Sequence, residues 1–355
     1  MPKIEQCILS ERIYYEIVSN CNLKCIHCSD ILSQQGGKKL SLSEIIEFHK
    51  NMVNLYNINE AVVTGGEPSL HPDFYQIVEE LAKLGKVLIT TNGTRINIEK
   101  MEELFSKYQN ITLQISIDGK SKETFEKIRG EGTYAKTYGL IEKLVEDGYQ
   151  DKIGVSMTIM QYNSHEVMEM IEYCELKGLA FIYFPVLLPT GNALRHWNDI
   201  APNLEQEKRI EDEIFSIIAD YEGDLQIISN RLNQICSKII SKNEIDCLKS
   251  FTIKVCPNKN IMPCPISSMN EHMIGTIDED DIGKKIEGRL TKIKEKSRQL
   301  RYSNKEKCSK CEIEEFCTGN FCASCQLLMN KEEHDAESYF CSITQYHINN
   351  ALNGV

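Results

Sequence analysis

The sequence predicts an α/β fold built on a parallel sheet. Between residues 12 and 184, six short apolar runs alternate with amphipathic stretches, as in serial strand–helix units. Polar residues that suit helix N-termini begin several of the amphipathic stretches. No stretch approaches the roughly 20 apolar residues of a membrane span. A partial (β/α)6 barrel fits this pattern, as does a doubly wound sheet, and in both folds ligands collect beyond the carboxyl ends of the strands.

The strands and helices are expected to alternate along the first half of the chain. The predicted strands cover residues 12–18, 60–63, 86–90, 111–117, 153–159 and 180–184. The predicted helices cover residues 43–56, 73–84, 98–108, 121–128, 134–147 and 164–177, with Ser43, Asp73, Ser121 and Ser164 as N-caps. Residues 203–221 read as one long charged amphipathic helix, and from Cys247 onward the chain is rich in cysteine. We therefore expect a core domain over 1–190, a helical linker region over 191–246, a cysteine-rich domain over 247–345 and a tail over 346–355.

The composition indicates an acidic globular protein that uses metal or redox chemistry. The chain has 355 residues, of which 41% are hydrophobic, and its formal net charge is −12. This charge disfavours a nucleic-acid partner. The first ten residues lack the apolar core of an export signal, so we expect a cytoplasmic protein with no membrane partner. In a reducing compartment, the 15 cysteines favour metal or redox use over disulfides.

A cysteine triplet directly follows the first predicted strand. Cys21, Cys25 and Cys28 have the spacing C-x3-C-x2-C. Three thiolates can hold three irons of a [4Fe–4S] cluster and leave the fourth iron open to a ligand. Zinc is the alternative, because Cys25, Cys28 and the neighbouring His27 supply half of a zinc site. A disulfide framework is disfavoured by the odd cysteine count and the missing signal peptide.

Further polar motifs follow the next predicted strands. The second strand leads into Gly65-Gly66-Glu67, in which two glycines let the backbone approach a ligand closely and a carboxylate follows at once. An ordinary turn is the alternative for this motif. Ser116 ends the fourth predicted strand, and Arg129 follows one helix later.

The triplet and the glycine motif together resemble the radical S-adenosylmethionine (SAM) superfamily over about residues 12–190. The resemblance implies that residues 65–67 bind the methionyl amino group of SAM and that Ser116 and Arg129 bind its carboxylate. A polar strand terminus and a surface helix end are the alternatives for these two. The superfamily often has an aromatic residue at the position of His27. The implied chemistry is reductive cleavage of SAM to a 5′-deoxyadenosyl radical, fed by a flavodoxin- or ferredoxin-type electron donor.

The chain has nine cysteines from residue 247 onward, and five of them form the run Cys308-x2-Cys311-x5-Cys317-x4-Cys322-x2-Cys325. This arrangement resembles the SPASM extension of radical SAM enzymes, which carries two auxiliary [4Fe–4S] clusters. With the cluster of the triplet, three clusters are expected. By this resemblance the first auxiliary cluster takes Cys247, Cys264 and Cys322, with Cys256 as an added candidate, and the second takes Cys308, Cys311, Cys317 and Cys341. Lys259 stands where the family pattern has the glycine of a G-x4-C turn. Zinc ribbons are the alternative for the paired CxxC motifs.

Four cysteines are left without a cluster: Cys7, Cys174, Cys236 and Cys325. Cys174 lies on an amphipathic helix and is interpreted as a small core residue. Cys325 follows a proposed ligand by three residues and is a spare-ligand candidate. Some radical SAM peptide epimerases return hydrogen to the substrate radical from a cysteine thiol, and Cys236 and Cys325 are the catalytic candidates for that role here.

The SPASM resemblance implies a ribosomally made peptide or protein as substrate, with a thioether or carbon–carbon crosslink or an oxidation as the outcome. Pro265 stands where sulfatase-maturating relatives have an aspartate base, so formylglycine formation is less expected. Only 20 residues precede Cys21, so we expect a leader peptide to bind elsewhere or on a separate leader-binding protein. The alternatives are peptide epimerisation, a small-molecule or tetrapyrrole substrate, and a nonenzymatic iron–sulfur or zinc scaffold.

Overall fold

The computed structural model describes residues 8–29, 37–230, 250–267 and 272–301, together with positions 310, 312, 342, 345, 346 and 349. Within these ranges, no helix combines the length and the apolar character that crossing a bilayer requires.

The chain folds into strands and helices that alternate through its first half. The strands are β1 (Ile8–Leu9), β2 (Arg12–Glu16), β3 (Glu60–Thr64), β4 (Lys86–Thr91), β5 (Ile111–Ser116), β6 (Ile153–Ser156), β7 (Phe181–Phe184), β8 (Gln226–Ser229), β9 (Ser250–Phe251), β10 (Lys254–Val255), β11 (Asn260–Met262) and β12 (Gly275–Thr276). The helices are α1 (Leu42–Leu55), α2 (Phe74–Ala82), α3 (Ile98–Lys107), α4 (Lys122–Arg129), α5 (Tyr134–Glu146), α6 (Val167–Leu176), α7 (Gly191–Arg195), α8 (Trp197–Ile200), α9 (Leu204–Asp220) and α10 (Ile282–Arg301). Short 3₁₀ turns cover Pro68–Leu70, Gln150–Lys152 and Ser164–Glu166.

Among the described residues, ten strands form one sheet in the order β12-β11-β10-β2-β3-β4-β5-β6-β7-β8. All neighbouring pairs from β10 to β8 are parallel. This confirms the predicted parallel α/β sheet. Because parallel strands share one direction, the loops that follow β2, β3, β4 and β5 emerge at the same edge.

One face of the sheet packs against a layer of helices. Ile13 and Tyr15 of β2 are fully buried on this face, and the Tyr15 hydroxyl bonds Nδ1 of His49 on α1 at 3.0 Å. Consecutive helices α1, α2 and α3 contact one another, and α3 contacts α5. These helices therefore lie side by side and cover the same face.

The opposite face of the sheet is concave. Tyr14 on β2 and Tyr183 on β7 are five strands apart in the sheet order, which would separate them by about 24 Å in a flat sheet. Burial raises the pKa of Tyr183, and Tyr14 lies close enough to raise it further. The two side chains therefore lie closer than in a flat sheet, and the sheet curves toward the face that carries them.

The strands that follow residue 250 extend the same sheet. β10 pairs with β2 in parallel, with Lys254 opposite Tyr14. β11 and β12 then add antiparallel partners. On the helical side, α10 contacts α1, and the Tyr56 hydroxyl donates to the carbonyl of Gly283 at 2.7 Å. The hairpin β10–β11, with two of the predicted ligands, is thus fixed beside the strand that leads to the cysteine triplet.

Candidate functional site

The cysteine triplet lies in the loop after β2, at the carboxyl edge of the sheet. The three thiols of Cys21, Cys25 and Cys28 are half-buried, and none forms a disulfide. Neighbouring elements hold the loop backbone: the amide of Ile26 donates to the carbonyl of Ile128 at 3.1 Å, at the end of α4. Asn192 on α7 donates from its amide to the carbonyl of Cys28 at 2.9 Å and from Nδ2 to the carbonyl of Cys25 at 3.2 Å. The loop is therefore anchored from two sides.

The thiols of this loop are desolvated and close to one another. Burial raises the pKa of Cys21 to about 11, and the neighbouring Cys25 adds to the rise. Burial likewise raises the pKa of Cys25 to about 11, against the opposing effect of the Arg129 guanidinium. Nη1 of Arg129 lies 4.0 Å from Sγ of Cys25. A cation beside these sulfurs favours their thiolate form, which is the form that binds iron.

The donor set of the loop fits a [4Fe–4S] cluster. Within the described ranges, no group of three or more His, Cys, Asp and Glu side chains is arranged to hold a single metal ion. The ligands of a cluster do not need such an arrangement, because each thiolate binds a different iron. Three thiols on one anchored loop, without a fourth cysteine in that loop, match a cluster with one iron left open to another ligand.

The Gly65–Gly66 segment packs directly on the backbone that leads into the cysteine loop. Gly65 has a φ of +154°, and a Cβ there would lie 2.4 Å from the carbonyl oxygen of Val18. A Cβ on Gly66 would lie 2.4 Å from the carbonyl oxygen of Asn20. The amide of Gly66 donates to Val18 at 2.8 Å, and the amide of Glu67 donates to Asn20 at 2.9 Å. The two sequence motifs are therefore one structural unit that only glycine permits.

The Glu67 carboxylate is buried and ties this unit to the loop after β4. Oε1 accepts from the amide of Ser69 at 3.1 Å, from its hydroxyl at 2.5 Å and from the Thr91 hydroxyl at 2.6 Å. Oε2 accepts from the amide of Asn92 at 2.8 Å. Nδ2 of Asn92 in turn lies 4.0 Å from Sγ of Cys21. Glu67 thus orders three loops at the carboxyl edge, and its predicted contact with the SAM amino group remains a prediction.

Ser116 and Arg129, the two predicted carboxylate ligands, lie at the same edge. Ser116 ends β5, and the Ser156 hydroxyl of β6 lies 3.5 Å from its own. Arg129 is buried, and its Nη2 lies 2.6 Å from Oδ2 of Asp118. Among the described residues, Nε of Arg129 has no hydrogen-bond partner. The alternative interpretation, in which Arg129 is a surface residue at a helix end, is wrong because the residue is buried.

Asp118 is a site residue that the sequence interpretation missed. It is fully buried, and its Oδ2 also lies 3.1 Å from Nε2 of His27 in the cysteine loop. Its Oδ1 accepts from the amide of Thr158 at 2.8 Å. Burial lowers the pKa of His27, against the opposing effect of Asp118. Asp118 therefore links the cysteine loop, Arg129 and the end of β6. Its position two residues after Ser116, at a strand end, was the available signal.

Cys256 and Cys264 lie at the two ends of the β10–β11 hairpin. Cys256 is buried and Cys264 half-buried. Lys259 has a φ of +72°, the left-handed conformation that glycine favours, so this lysine makes the turn that the family pattern assigns to glycine. Its Nζ lies 2.7 Å from Oε1 of Glu44 and 3.0 Å from Oδ2 of Asp278.

Most of the other predicted cysteines lie outside the described residues: Cys7, Cys236, Cys247, Cys308, Cys311, Cys317, Cys322, Cys325 and Cys341. Cys174 lies on α6 and is fully buried. Burial raises the pKa of its thiol. Its interpretation as a core residue is confirmed.

Comparisons with known proteins agree with this geometry. The family model of the Radical SAM superfamily matches residues 15–174. The mycofactocin maturase MftC of Mycolicibacterium smegmatis is 28% identical over 203 residues, which is 56% of this chain and 50% of that protein. The chain spans about half the length of the curated relatives it matches.

Two solved structures share the fold of this chain. Streptococcus suis SuiB bound to the precursor peptide SuiA aligns with a TM-score of 0.70 and 15% identity, covering 89% of this chain and 72% of SuiB. The enzyme anSMEcpe with bound AdoMet and a peptide aligns with a TM-score of 0.69 and 17% identity, covering 97% of this chain and 99% of that one. Residues 15–174 are therefore similar to the Radical SAM superfamily in sequence, and the anchored cysteine triplet lies within this matched range.

Proposed function

We propose that the protein is a radical SAM enzyme that modifies a ribosomally made peptide or protein, leaving a thioether or carbon–carbon crosslink or an oxidised residue. The carrying observation is the joint unit of the cysteine loop and the Gly65–Gly66 segment at the carboxyl edge of the sheet. A partial (β/α)6 barrel holds this unit, in keeping with the parallel sheet and with the layer that α1, α2, α3 and α5 form on one of its faces. When bound, the [4Fe–4S] cluster and SAM supply a 5′-deoxyadenosyl radical that takes hydrogen from an unactivated C–H bond.

The residues around the triplet have separate tasks in this proposal. Cys21, Cys25 and Cys28 hold the cluster, and residues 65–67 receive the amino group of SAM. Arg129 receives the carboxylate, together with Ser116. Two observations support Arg129: it is buried beside the Cys25 thiol, and its Nε has no hydrogen-bond partner among the described residues. A buried donor without a partner costs about 1–3 kcal/mol, which a bound carboxylate would remove.

Two auxiliary clusters on the C-terminal cysteines, Cys256 and Cys264 among them, belong to the same proposal. The turn at Lys259 supports this part, because the lysine stands at the glycine position of the G-x4-C pattern and has a positive φ, which glycine favours. A flavodoxin- or ferredoxin-type donor supplies the electrons. The peptide substrate is supported by SuiB, whose structure holds a precursor peptide, and by the maturase MftC.

SAM cleavage tests the core of the proposal. Anaerobically reconstituted protein with dithionite and SAM is expected to form 5′-deoxyadenosine. Cys25→Ala is expected to abolish the product, because one iron loses its ligand. Cys174→Ala is the matched control, since this thiol lies in the helix layer on α6, and it is expected to retain the product. Undiminished product from Cys25→Ala, or no product from iron-replete protein, would refute the proposal.

Mass spectrometry tests the substrate. Short peptides encoded beside the gene would be coexpressed with the protein under anaerobic conditions. A mass loss equal to two hydrogen atoms is the expected result for a crosslink or an oxidation. An unchanged mass with deuterium uptake from solvent would indicate an epimerase instead. If none of the coexpressed peptides is modified while SAM cleavage is intact, the result would contradict the peptide substrate and favour a small-molecule substrate.

A further inference from the structure

Asn192 on α7 bonds the cysteine loop at two of its cysteines. Its backbone amide donates to the carbonyl of Cys28 at 2.9 Å, and its Nδ2 donates to the carbonyl of Cys25 at 3.2 Å. The Cys25 carbonyl also accepts from the amide of Cys28 at 3.3 Å. One residue, 167 positions beyond Cys25 in the chain, therefore fixes how the backbones of two predicted iron ligands lie relative to each other.

The peptide unit that follows Cys25 is held at both of its edges. Its carbonyl accepts from Asn192, and its amide, which belongs to Ile26, donates to the carbonyl of Ile128 at 3.1 Å. Because a peptide unit is planar, hydrogen bonds at its carbonyl and its amide together fix the orientation of the plane. The Cα of Cys25 lies in this plane, so the direction in which its thiol leaves the backbone is restricted as well.

The backbone at the start of α7 packs against the loop too closely for a side chain. Gly191 has a φ of +57°, and a Cβ there would lie 2.6 Å from the carbonyl oxygen of Cys28. The preceding Thr190 is buried, and its hydroxyl donates to the carbonyl of Ser29 at 3.3 Å. The start of α7 therefore follows the backbone of the cysteine loop over several residues.

An apolar cluster joins α7 and α8 to the cysteine loop. Ala193 and Trp197 are buried in this cluster together with Ile128, and Ile26 of the loop packs against it. Trp197 is the single tryptophan of the sequence. Asn192 is thus carried by a packed segment, and its hydrogen bonds to the loop have a firm support.

We propose that Asn192 is a positioning residue that holds Cys25 and Cys28 in the arrangement that the [4Fe–4S] cluster requires and thereby slows the loss of the cluster. This inference rests on the triplet cluster of the proposed function. A cluster with one open iron has three protein ligands instead of four. The order of the loop therefore contributes more to its retention, because a thiolate leaves its iron only when the loop moves.

Two variants isolate the side-chain contact, because the backbone donor to Cys28 stays in both. Asn192→Ala removes the Nδ2 donor to Cys25, and cluster loss is expected to become roughly five times faster, the equivalent of one hydrogen bond. Asn192→Asp also removes this donor and places a carboxylate oxygen opposite the carbonyl oxygen of Cys25. Because the two oxygens repel each other, a still faster loss is expected for Asn192→Asp.

Asn110→Ala is the matched control. Nδ2 of Asn110 donates to the carbonyl of Ala82 at 2.8 Å and to that of Gly85 at 2.6 Å, at the opposite edge of the sheet. This variant also loses side-chain hydrogen bonds to loop carbonyls, so its urea midpoint is expected to fall. Its rate of cluster loss is expected to equal that of the unchanged protein, which separates positioning of the loop from general stability.

The measurement follows one cluster through its loss. The full chain is reconstituted anaerobically, exposed to an iron chelator for set times and then reduced with dithionite. The recorded quantity is the electron paramagnetic resonance signal that changes shape when SAM is added, and Cys25→Ala, which should lack this signal, assigns it to the triplet. Urea midpoints and the fluorescence emission of Trp197 in the apoproteins show that each variant keeps the fold and the packing of α7 and α8.

The outcomes separate the inference from the function on which it rests. Equal rates of cluster loss in Asn192→Ala, Asn192→Asp and the unchanged protein would overturn the role of Asn192. A rate in Asn110→Ala as fast as in Asn192→Ala would also overturn it, because the effect would then follow general stability. If Asn192→Asp does not fold, Asn192→Ala still decides. An unchanged protein without a SAM-responsive signal would instead refute the triplet cluster of the proposed function.

Discussion

Gly66 offers the sharpest test of the joint loop unit, through the single change Gly66→Ala. The added Cβ would lie 2.4 Å from the carbonyl oxygen of Asn20 and 2.7 Å from that of Ser19. Both neighbours are backbone atoms, so no side-chain rotation relieves the contact. The two loops must separate by several tenths of an ångström at least, and the cysteine loop moves with them.

The cost follows from the hydrogen bonds that this separation strains. The amides of Gly66 and Glu67 donate to Val18 and Asn20 at 2.8 Å and 2.9 Å. Each such bond contributes about 1 kcal/mol net, and a buried donor left without a partner costs about 1–3 kcal/mol. We expect Gly66→Ala to lower the free energy of unfolding by about 2–4 kcal/mol, a large share of the roughly 5–15 kcal/mol typical of a folded protein.

Urea unfolding of the apoprotein measures this cost, and iron content after anaerobic reconstitution measures its effect on the site. Gly139→Ala is the matched control, because a Cβ there meets no atom within 4 Å and the residue lies inside α5. Alanine is the better helix former, so this control is expected to gain up to about 1 kcal/mol. If Gly66→Ala has the same free energy of unfolding and the same iron content as the unchanged protein, the packing of the two loops does not organise the site.

Two further predictions concern groups near the sheet. Burial lowers the pKa of His49 from 6.5 to about 4. The folded protein therefore favours neutral His49, and the stability that this contributes is complete above pH 6.5 and is lost as the pH falls toward 4. We expect the apoprotein to lose about 3 kcal/mol over this window because of His49. His49→Gln should remove this part of the pH dependence in urea unfolding, and an unchanged slope would exclude His49 as its cause. At the β10–β11 turn, Lys259→Gly should have a higher urea midpoint than Lys259→Ala. Both variants lose the pairs with Glu44 and Asp278, but only glycine relieves the positive φ. Equal midpoints would show that the turn is not strained.

Helix ends show which local signals the sequence carries. Ser121 caps α4 as predicted, with its hydroxyl accepting from the amide of Thr124 at 3.1 Å. The predicted cap of α1, Ser43, is wrong: Ser41 caps this helix and forms a capping box with Glu44. That S-x-x-E pattern is visible in the sequence and is the better criterion. Ser164 is also wrong, because a 3₁₀ turn over Ser164–Glu166 precedes α6.

Tertiary contacts explain where strand prediction fails. The apolar pattern extends the fifth predicted strand to residue 159, but the corresponding strand β6 ends at Ser156. The amide of Thr158 donates to the buried carboxylate of Asp118 instead of to a neighbouring strand. The short strands β10 to β12 were not predicted at all, because two or three residues carry no period and their stability comes from pairing with distant partners. Lys254 opposite Tyr14 is such a pairing.

The sheet order, rather than nearness in sequence, assembles the candidate site. β2 lies between β3 and β10, so the triplet loop has the Gly65–Gly66 segment on one side and the Cys256 hairpin on the other. The strand itself is fixed by its alternation: Tyr15 packs into the helix layer, while Glu16 projects to the concave side and bonds Lys254. A shift of β2 by one residue would exchange these faces. It would also move the triplet thiols away from both the Gly65–Gly66 segment and the Cys256 hairpin. The register of one five-residue strand therefore positions every candidate iron ligand that the structure describes.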